Sequence, residues 1–125
     1  MKLGIVGSRQ RNSMADKGIL MKRVMNLKPG MIVSGGCKKG ADKFAEEIAE
    51  TLGIPITIFY PKTGDARHMG DMVKAYYARN KLIAQNSDHL IALVTPDRKG
   101  GTEHTIKCFK NLFNTELWQD RLEIL

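Results

Sequence analysis

The chain has 125 residues, which is the size of one domain and too few for two. Hydrophobic residues make up 42% of it and charged residues 26%, as in ordinary globular proteins. No stretch approaches the roughly 18 consecutive apolar residues of a membrane span, which argues against a membrane partner. Lys and Arg outnumber Asp and Glu by 20 to 13, and the resulting net charge of +7 attracts anions. The charge alone does not separate nucleic acid from nucleotide phosphates or from simple solubility.

The cysteines, the histidines and the first residues indicate a reduced, metal-free protein. Cys37 and Cys108 form neither a CxxC pair nor a disulfide framework, so we expect free thiols. The three histidines have no metal-ligand spacing among themselves or with the cysteines. Residues 1–7 are too short an apolar run for a secretory h-region. We therefore expect a cytoplasmic protein with no bound metal and no cofactor.

The first part of the chain predicts a strand, a helix and a second strand. Residues 3–6 form a short apolar run of the kind found in buried strands. A helix is expected over residues 13–26, with Ser13 as the N-cap and Asp16 three positions later, the spacing of a capping box. A Pro-Gly pair then interrupts the chain, and residues 31–33 form the next strand.

The clearest helix covers Ala41–Leu52. Its apolar residues recur at i, i+3, i+4, i+7, i+8 and i+11, which is one face of a helix. Gly53 follows in the position of a C′ residue. A third strand is expected over residues 54–60, with a proline near its start, and a loop separates it from a long helix over residues 71–85.

The last part of the chain completes an alternating pattern. Residues 90–94 are apolar throughout, as in a strand that is buried on both faces. A helix is expected over residues 102–113, and residues 121–125 are expected to add a fifth strand. The alternation predicts an α/β fold: one Rossmann-like domain over residues 1–125, with three layers (α/β/α) around a mostly parallel sheet of four to five strands. In such sheets ligands bind beyond the carboxyl ends of the strands, where the strand order reverses.

Three of the four strand-to-helix turns combine glycines with hydroxyl or basic side chains. Glycine lets a backbone approach a phosphate closely, and the free N–H groups of the following helix point at the anion. One such turn is more often only a tight turn, but three at one edge of a sheet favour a shared anion site. The candidate ligand-binding residues in the turns are Gly7, Ser8 and Arg9 after the first strand, Ser34, Gly35, Gly36, Gly40 and Asp42 after the second, and Gly100, Gly101 and Thr102 after the fourth, with Lys38, Lys39 and Lys99 adding charge.

Known phosphate-binding motifs do not account for these turns. None matches G-x-G-x-x-G followed by a ribose-binding acid about 20 residues on, and none is a Walker A sequence. The helix over residues 71–85 adds Arg79 and Asn80 beside two tyrosines. Its pattern alone is compatible with a solvated helix face, and Tyr76 and Tyr77 are more often packing residues than platforms for a base.

The ordered set of motifs resembles the SLOG superfamily. That group includes the lonely-guy phosphoribohydrolases, the DNA-processing protein DprA and small stand-alone YspA-type proteins, and the chain looks most similar to the last. No single motif is specific, but together they cover nearly the whole chain. The matching stretches are Gly4-Ile5-Val6-Gly7-Ser8-Arg9, Ser34-Gly35-Gly36, Gly40-Ala41-Asp42, Ala78-Arg79-Asn80, Ser87-Asp88-His89-Leu90-Ile91-Ala92 and Gly100-Gly101-Thr102-Glu103-His104-Thr105.

The resemblance implies a nucleotide or nucleotide-derived ligand bound across the three glycine turns, with Arg79 and Asn80 beside it. Arg79 falls where the lonely-guy hydrolases have a functional Arg. The Glu of their G-G-x-G-T-x-x-E motif falls on Thr105, which cannot supply the carboxylate that stabilises an oxocarbenium-like transition state. If the chain is an enzyme, the resemblance leaves Arg79 and Glu103 as its catalytic candidates.

Three functions follow from the residues and the resemblance. The first is binding of a phosphorylated nucleotide, in order to sense, carry or sequester it. The second is hydrolysis of the N-glycosidic bond of a nucleoside monophosphate. The third is binding of single-stranded DNA, which the net charge supports and which the lack of an aromatic platform with interleaved basic residues weakens. Relatives of this fold often dimerise, so the resemblance also implies a homodimer.

Overall fold

Strands and helices alternate along the chain in the computed structural model, which describes residues 1–64, 66–113 and 115–125. In chain order the elements are β1 (Lys2–Gly7), α1 (Met14–Leu27), β2 (Met31–Ser34), α2 (Ala41–Leu52), β3 (Ile56–Ile58), α3 (Met69–Gln85), β4 (His89–Leu93), α4 (Gly101–Lys110), a 3₁₀ helix (Glu116–Arg121) and β5 (Leu122–Ile124). This alternation confirms the predicted α/β fold.

The strands form one parallel sheet in the order β3-β2-β1-β4-β5. Leu3 of β1 is in register with Ile32 of β2 on one side and with His89 of β4 on the other. The chain first winds outward from β1 to β3 and then returns past β1 to add β4 and β5. The strand order therefore reverses between β1 and β4, which opens a crevice beyond their carboxyl ends. The fifth strand expected at residues 121–125 is confirmed.

Helices cover both faces of the sheet because successive strand residues point to opposite faces. Leu3 and Ile5 of β1 pack with α1 and α2, whereas Val6 packs with α3 and α4. The first layer buries Leu20, Val24, Phe44, Ala45 and Ile48, and the second buries Ile83, Ala84, Ile106 and Phe109. The three-layer arrangement that the sequence predicts is therefore present.

The helix ends follow the local sequence. Ser13 Oγ accepts a hydrogen bond from the N–H of Asp16 at 3.1 Å, and Asp16 Oδ2 accepts one from the N–H of Ser13 at 3.3 Å. This is the predicted capping box, and it satisfies N–H groups that have no partner inside α1. At the end of α2, Gly53 takes the left-handed conformation with φ 68°, and its N–H bonds to the carbonyl groups of Ala49 and Glu50.

The third strand is shorter than the sequence predicts. β3 covers Ile56–Ile58 rather than residues 54–60. Its neighbour β2 has only four residues, so the ladder ends where β2 ends. Ile54 instead follows the C-cap of α2, and its N–H donates to the carbonyl oxygen of Ala49 in the last turn of that helix at 2.9 Å. The prediction was wrong here because strand length depends on the partner strand as well as on the apolar run.

The boundaries of the two later helices also differ from the prediction. α3 begins at Met69, two residues before the expected position 71. α4 covers Gly101–Lys110 rather than residues 102–113, and the chain beyond it turns more tightly, since the N–H of Leu112 bonds to the carbonyl oxygen of Phe109 three residues back. The 3₁₀ helix before β5 has no counterpart in the prediction.

Three further observations concern the part of the chain that the structure describes. No helix there is long and apolar enough to cross a membrane. No group of three or more His, Cys, Asp or Glu side chains there is placed to hold a metal ion. Cys37 and Cys108 are both free thiols.

Candidate functional site

A cleft of about 520 Å³ opens at the carboxyl ends of β1 and β4, where the strand order reverses. Its volume lies in the range of small-molecule sites. One side of α3 forms a long wall, and the turns after β1 and β2 and before α4 form the rest. The lining residues are Val6, Gly7, Ser8, Arg9, Gln10, Cys37, Asp42, Val73, Tyr76, Tyr77, Arg79, Asn80, Ile83, Lys99, Gly100, Gly101, Thr102 and Thr105.

The structure brings most of the sequence-predicted site residues together in this cleft. Those that line it are Gly7, Ser8, Arg9, Asp42, Arg79, Asn80, Gly100, Gly101 and Thr102. Those that do not line it are Ser34, Gly35, Gly36, Gly40 and Glu103. The second group therefore acts behind the surface of the cleft or outside it.

Gly35 and Gly40 lie behind the cleft wall and determine its shape. The carbonyl oxygen of Gly35 accepts a hydrogen bond from Arg79 Nη1 at 2.6 Å, and a Cβ on Gly35 would also lie 2.6 Å from that nitrogen. Gly40 has a φ of 70°, and a Cβ there would lie 2.6 Å from the carbonyl oxygen of Ser8. Glycine therefore lets the turn after β2 pack directly on the turn after β1.

Arg79 is held in position by two hydrogen bonds. Besides its bond to Gly35, its Nε donates to Asn80 Oδ1 at 2.9 Å, and its guanidinium carbon lies 5.7 Å from the centre of the Tyr76 ring. Arg79 makes no ion pair with any carboxylate that the structure describes. A planar guanidinium has more N–H donors than these two contacts use. Arg79 is thus a fixed cation with spare donors in the wall of the cleft.

Asn80 connects α3 to the beginning of α4. Its side chain is 5% exposed, and its Nδ2 donates to the carbonyl oxygen of Gly101 at 3.4 Å and lies 3.3 Å from His104 Nδ1. Burial, together with the charge of Lys107, lowers the pKa of His104, which favours the neutral ring. Because Asn80 Nδ2 can only donate, this contact requires the tautomer in which Nδ1 is the acceptor. The Tyr77 ring stacks on His104 at 3.8 Å. These contacts join the helical wall of the cleft to the glycine turn.

Asp42 is a carboxyl group enclosed in the wall of the cleft. It lies in the first turn of α2 and is only 9% exposed. Its Oδ2 accepts a hydrogen bond from the N–H of Cys37 at 3.0 Å. Burial raises the pKa of Asp42, and the Cys37 N–H, the charge of Arg79 and the nearby Ser34 hydroxyl group offset only part of that rise. The cleft therefore contains a carboxyl group whose charged form is poorly solvated.

Glu103 lies outside the cleft, although the sequence analysis names it as a catalytic candidate. Its two carboxylate oxygens accept hydrogen bonds from Arg98 at 2.8 and 2.9 Å. Thr102 and Thr105 line the cleft from the same side of α4, and Glu103 is rotated about 100° from Thr102. Thr105 Oγ1 donates to the carbonyl oxygen of Gly101 at 3.3 Å. The motif position that faces the cleft thus holds a hydroxyl group rather than a carboxylate.

The rim of the cleft carries positive charge. Arg9 and Lys99 line the cleft and are both exposed. Lys38 and Lys39 do not line the cleft, but they are exposed in the turn that follows Cys37, which does. No described carboxylate forms an ion pair with any of these four side chains. Their positive potential therefore remains available to an anion that enters the cleft.

Sequence reasoning missed the apolar and aromatic part of the wall. Val73, Tyr76, Tyr77 and Ile83 all line the cleft, whereas the tyrosines are expected from sequence to be packing residues. A signal for them exists, because positions 73, 76, 77, 80 and 83 recur at i, i+3, i+4, i+7 and i+10 and so share one face of α3. Asn80, which the sequence analysis selects, lies on the same face. Cys37 and Gln10 have no comparable signal.

Comparisons with family models, with curated proteins and with solved structures found no match to this chain.

Proposed function

We propose that this chain binds a phosphorylated nucleotide in the cleft between the β1 and α4 turns. The observation that carries the proposal is the position of Arg79 in the cleft and its hydrogen bonding there. Its guanidinium is fixed by the Gly35 carbonyl group and by Asn80, forms no ion pair with the described carboxylates and lines the cleft. An Arg held in this way is suited to a phosphate, which accepts hydrogen bonds from the planar fork.

Other donors converge on the same end of the cleft. α4 begins at Gly101, and the first N–H groups of a helix have no partner inside it. Gly100 precedes it with φ 107° and with no described atom within 4 Å of the position of a Cβ, so a phosphate can approach the backbone. Arg9 and Lys99 add charge at the rim. A phosphate at this end would meet donors from α3, from α4 and from the turn after β1.

The rest of the cleft suits the apolar part of a nucleotide. Val73 lies seven residues before Asn80 on α3, which is about 10 Å along the helix axis. Between these two positions the wall carries Tyr76 and Tyr77. A wall with apolar side chains at one end and cationic donors at the other supports a ligand that has both a base and a phosphate.

We also propose that the chain is a member of the SLOG superfamily. The parallel three-layer fold, the reversal of strand order beside the Gly7 turn and the position of Arg79 in the cleft support this assignment. The position of Glu103 outside the cleft supports binding over hydrolysis by the lonely-guy route, because that route uses the carboxylate of the G-G-x-G-T-x-x-E motif, and the corresponding residue that lines the cleft here is Thr105.

The proposal is tested by following thermal unfolding with AMP, ADP, ATP, GMP, CMP and UMP and with inorganic phosphate. A ligand at about 100 times its dissociation constant stabilises a fold by about 2.7 kcal/mol, which is on the order of 10 °C for a chain of this size. We expect at least one nucleotide to raise the melting temperature of the wild type. Arg79→Gln should reduce that shift, while Lys22→Gln, which removes the same charge from the exposed side of α1, should retain it. If no nucleotide stabilises the wild type, the proposal is wrong.

The same samples distinguish the two other functions. Chromatography after incubation reports free base, and its release would indicate N-glycosidic hydrolysis. Binding to a single-stranded oligonucleotide that falls steeply with salt would instead indicate neutralisation of a series of phosphates. Stabilisation by an intact nucleotide without either result supports the proposed binding function.

A further inference from the structure

We propose that Asp42 binds the ribose hydroxyl groups of the ligand, so that the cleft selects ribonucleotides over deoxyribonucleotides. This inference rests on the proposed nucleotide-binding function and adds the class of sugar to it. It is carried by the surroundings of the Asp42 carboxylate, by the chemistry of the other cleft groups and by the position of Asp42 and Arg79 on either side of Gly35.

Asp42 presents part of its carboxylate to the cleft. Oδ2 accepts the N–H of Cys37 at 3.0 Å, and the Ser34 hydroxyl group lies close enough to the carboxyl group to lower its pKa. These two groups use only part of the capacity of a carboxylate, whose two oxygens have about four acceptor sites. Since Asp42 lines the cleft and is 9% exposed, the cleft is where its carboxylate is accessible to further donors.

The charged side chains other than Asp42 that line the cleft are all donors. Arg79, Arg9 and Lys99 can only donate, and so can the free N–H groups at the start of α4. An ionised carboxylate can only accept. A phosphate brings acceptors and negative charge, so it matches the donors and is repelled by Asp42. Asp42 therefore requires a different part of the ligand, one that carries O–H or N–H groups.

The position of Asp42 beside Arg79 favours the sugar over the base. A Cβ built on Gly35 would lie 2.6 Å from Arg79 Nη1 and 3.0 Å from Asp42 Oδ2. The Arg79 and Asp42 side chains therefore both lie next to Gly35. A phosphate on Arg79 brings the adjoining ribose next to Asp42, whereas the base extends further along the cleft. Burial already raises the pKa of this carboxyl group, and hydroxyl donors from a ribose would restore solvation to its charged form.

The test compares each of AMP, GMP, CMP and UMP with its 2′-deoxy and 3′-deoxy analogues by titration calorimetry. A hydrogen bond to a charged group contributes about 1.5–3 kcal/mol, so losing it should weaken binding about 10- to 150-fold. We expect this loss for at least one deoxy analogue of the best ligand in the wild type. In Asp42→Asn, which keeps an acceptor for the Cys37 N–H, the ribonucleotide and its deoxy analogue should differ by less than about threefold. Asp120→Asn makes the same chemical change on the exposed 3₁₀ helix and should keep the wild-type selectivity.

The outcomes separate the inference from the function on which it rests. If ribonucleotides and both kinds of deoxynucleotide bind the wild type equally well, Asp42 does not bind the sugar and the inference is wrong, while nucleotide binding stands. The inference is also wrong if Asp42→Asn discriminates as strongly as the wild type. If none of the nucleotides binds, the proposed function itself has failed, and the inference fails with it.

Discussion

Replacing Gly35 with alanine perturbs the cleft without changing any charge. The new methyl group would lie 2.6 Å from Arg79 Nη1, which is too close for Nη1 to stay in place, and 3.0 Å from Asp42 Oδ2, which requires a shift of only a few tenths of an ångström. Arg79 Nη1 is the end of a long side chain, so it can move away, whereas Asp42 is enclosed. We therefore expect the guanidinium to leave the carbonyl oxygen of Gly35 and to turn from its position in the cleft.

The cost to stability is small because only one strong contact is lost. The hydrogen bond from Arg79 to the Gly35 carbonyl group contributes about 1.5 kcal/mol, the low end for a charged donor, because Arg79 remains partly exposed to water. Alanine restricts the unfolded chain more than glycine does, which stabilises the folded state of the variant by about 0.5 kcal/mol. The net loss of about 1 kcal/mol corresponds to a melting temperature about 4 °C lower for a chain of this length. Nucleotide affinity should fall more, by about tenfold or greater, because Arg79 no longer presents its donors.

Thermal unfolding and titration calorimetry on the same preparation measure the two effects. Gly18→Ala is the matched control, because Gly18 lies inside α1 with open space around its Cα. That change should raise stability by about 0.5–1 kcal/mol and leave nucleotide binding unaltered. If Gly35→Ala has the same melting temperature and the same nucleotide affinity as the wild type, the contact between Arg79 and Gly35 does not position the guanidinium. That result would refute the role inferred for Gly35.

Three other changes test separate parts of the structure. Gly7→Ala should lower stability by about 1–3 kcal/mol in denaturant unfolding, because its Cβ would lie 2.7 Å from that of Ala41 and 2.8 Å from that of Leu93; an unchanged midpoint would contradict this packing. Asp42→Asn should be more stable than the wild type at neutral pH. The pKa of Asp42 is raised on folding, so the contribution of Asp42 to stability falls as the pH rises from about 3.8 through the folded pKa. The extra stability of the variant should therefore disappear in acid. Extra stability that does not depend on pH would argue against a buried charge. Glu103→Gln should leave the nucleotide affinity measured by calorimetry unchanged, since that side chain bonds to Arg98 outside the cleft. A large loss of affinity would instead indicate that Glu103 contacts the ligand.

The sequence predicts the layers of this fold because strands and helices leave different periodic signals. The run at residues 90–94 and the one-sided apolar pattern of Ala41–Leu52 each indicate an element without reference to the rest of the chain. The capping box at Ser13 and the left-handed Gly53 are equally local. The length of β3 is not local, because it depends on how many residues β2 offers for pairing.

Some residues of the candidate site could likewise be predicted from the local sequence, whereas others depend on how the helices pack. Glycine turns at the ends of parallel strands must meet at one edge of the sheet, so the residues that line the cleft from those turns could be selected from the sequence. Which side of α3 and α4 faces the cleft depends on how the helices pack on the sheet. For that reason the sequence favours packing roles for Tyr76 and Tyr77, although they share a face of α3 with Asn80, and it names Glu103 as a candidate, although the structure places this residue outside the cleft.

The position of β1 in the middle of the sheet has a consequence for folding during synthesis. β1 is made first, but its second neighbour, β4, begins only at His89. Until β4 has left the ribosome, one edge of β1 has no strand to pair with. The face of β1 that carries Val6 also lacks the α4 residues that cover it in the folded protein. Unpaired apolar edges of this kind promote association between incomplete chains. The nascent protein should therefore be most dependent on chaperones during synthesis of the stretch between β2 and β4, and slow closure of this non-local pairing should limit its refolding rate.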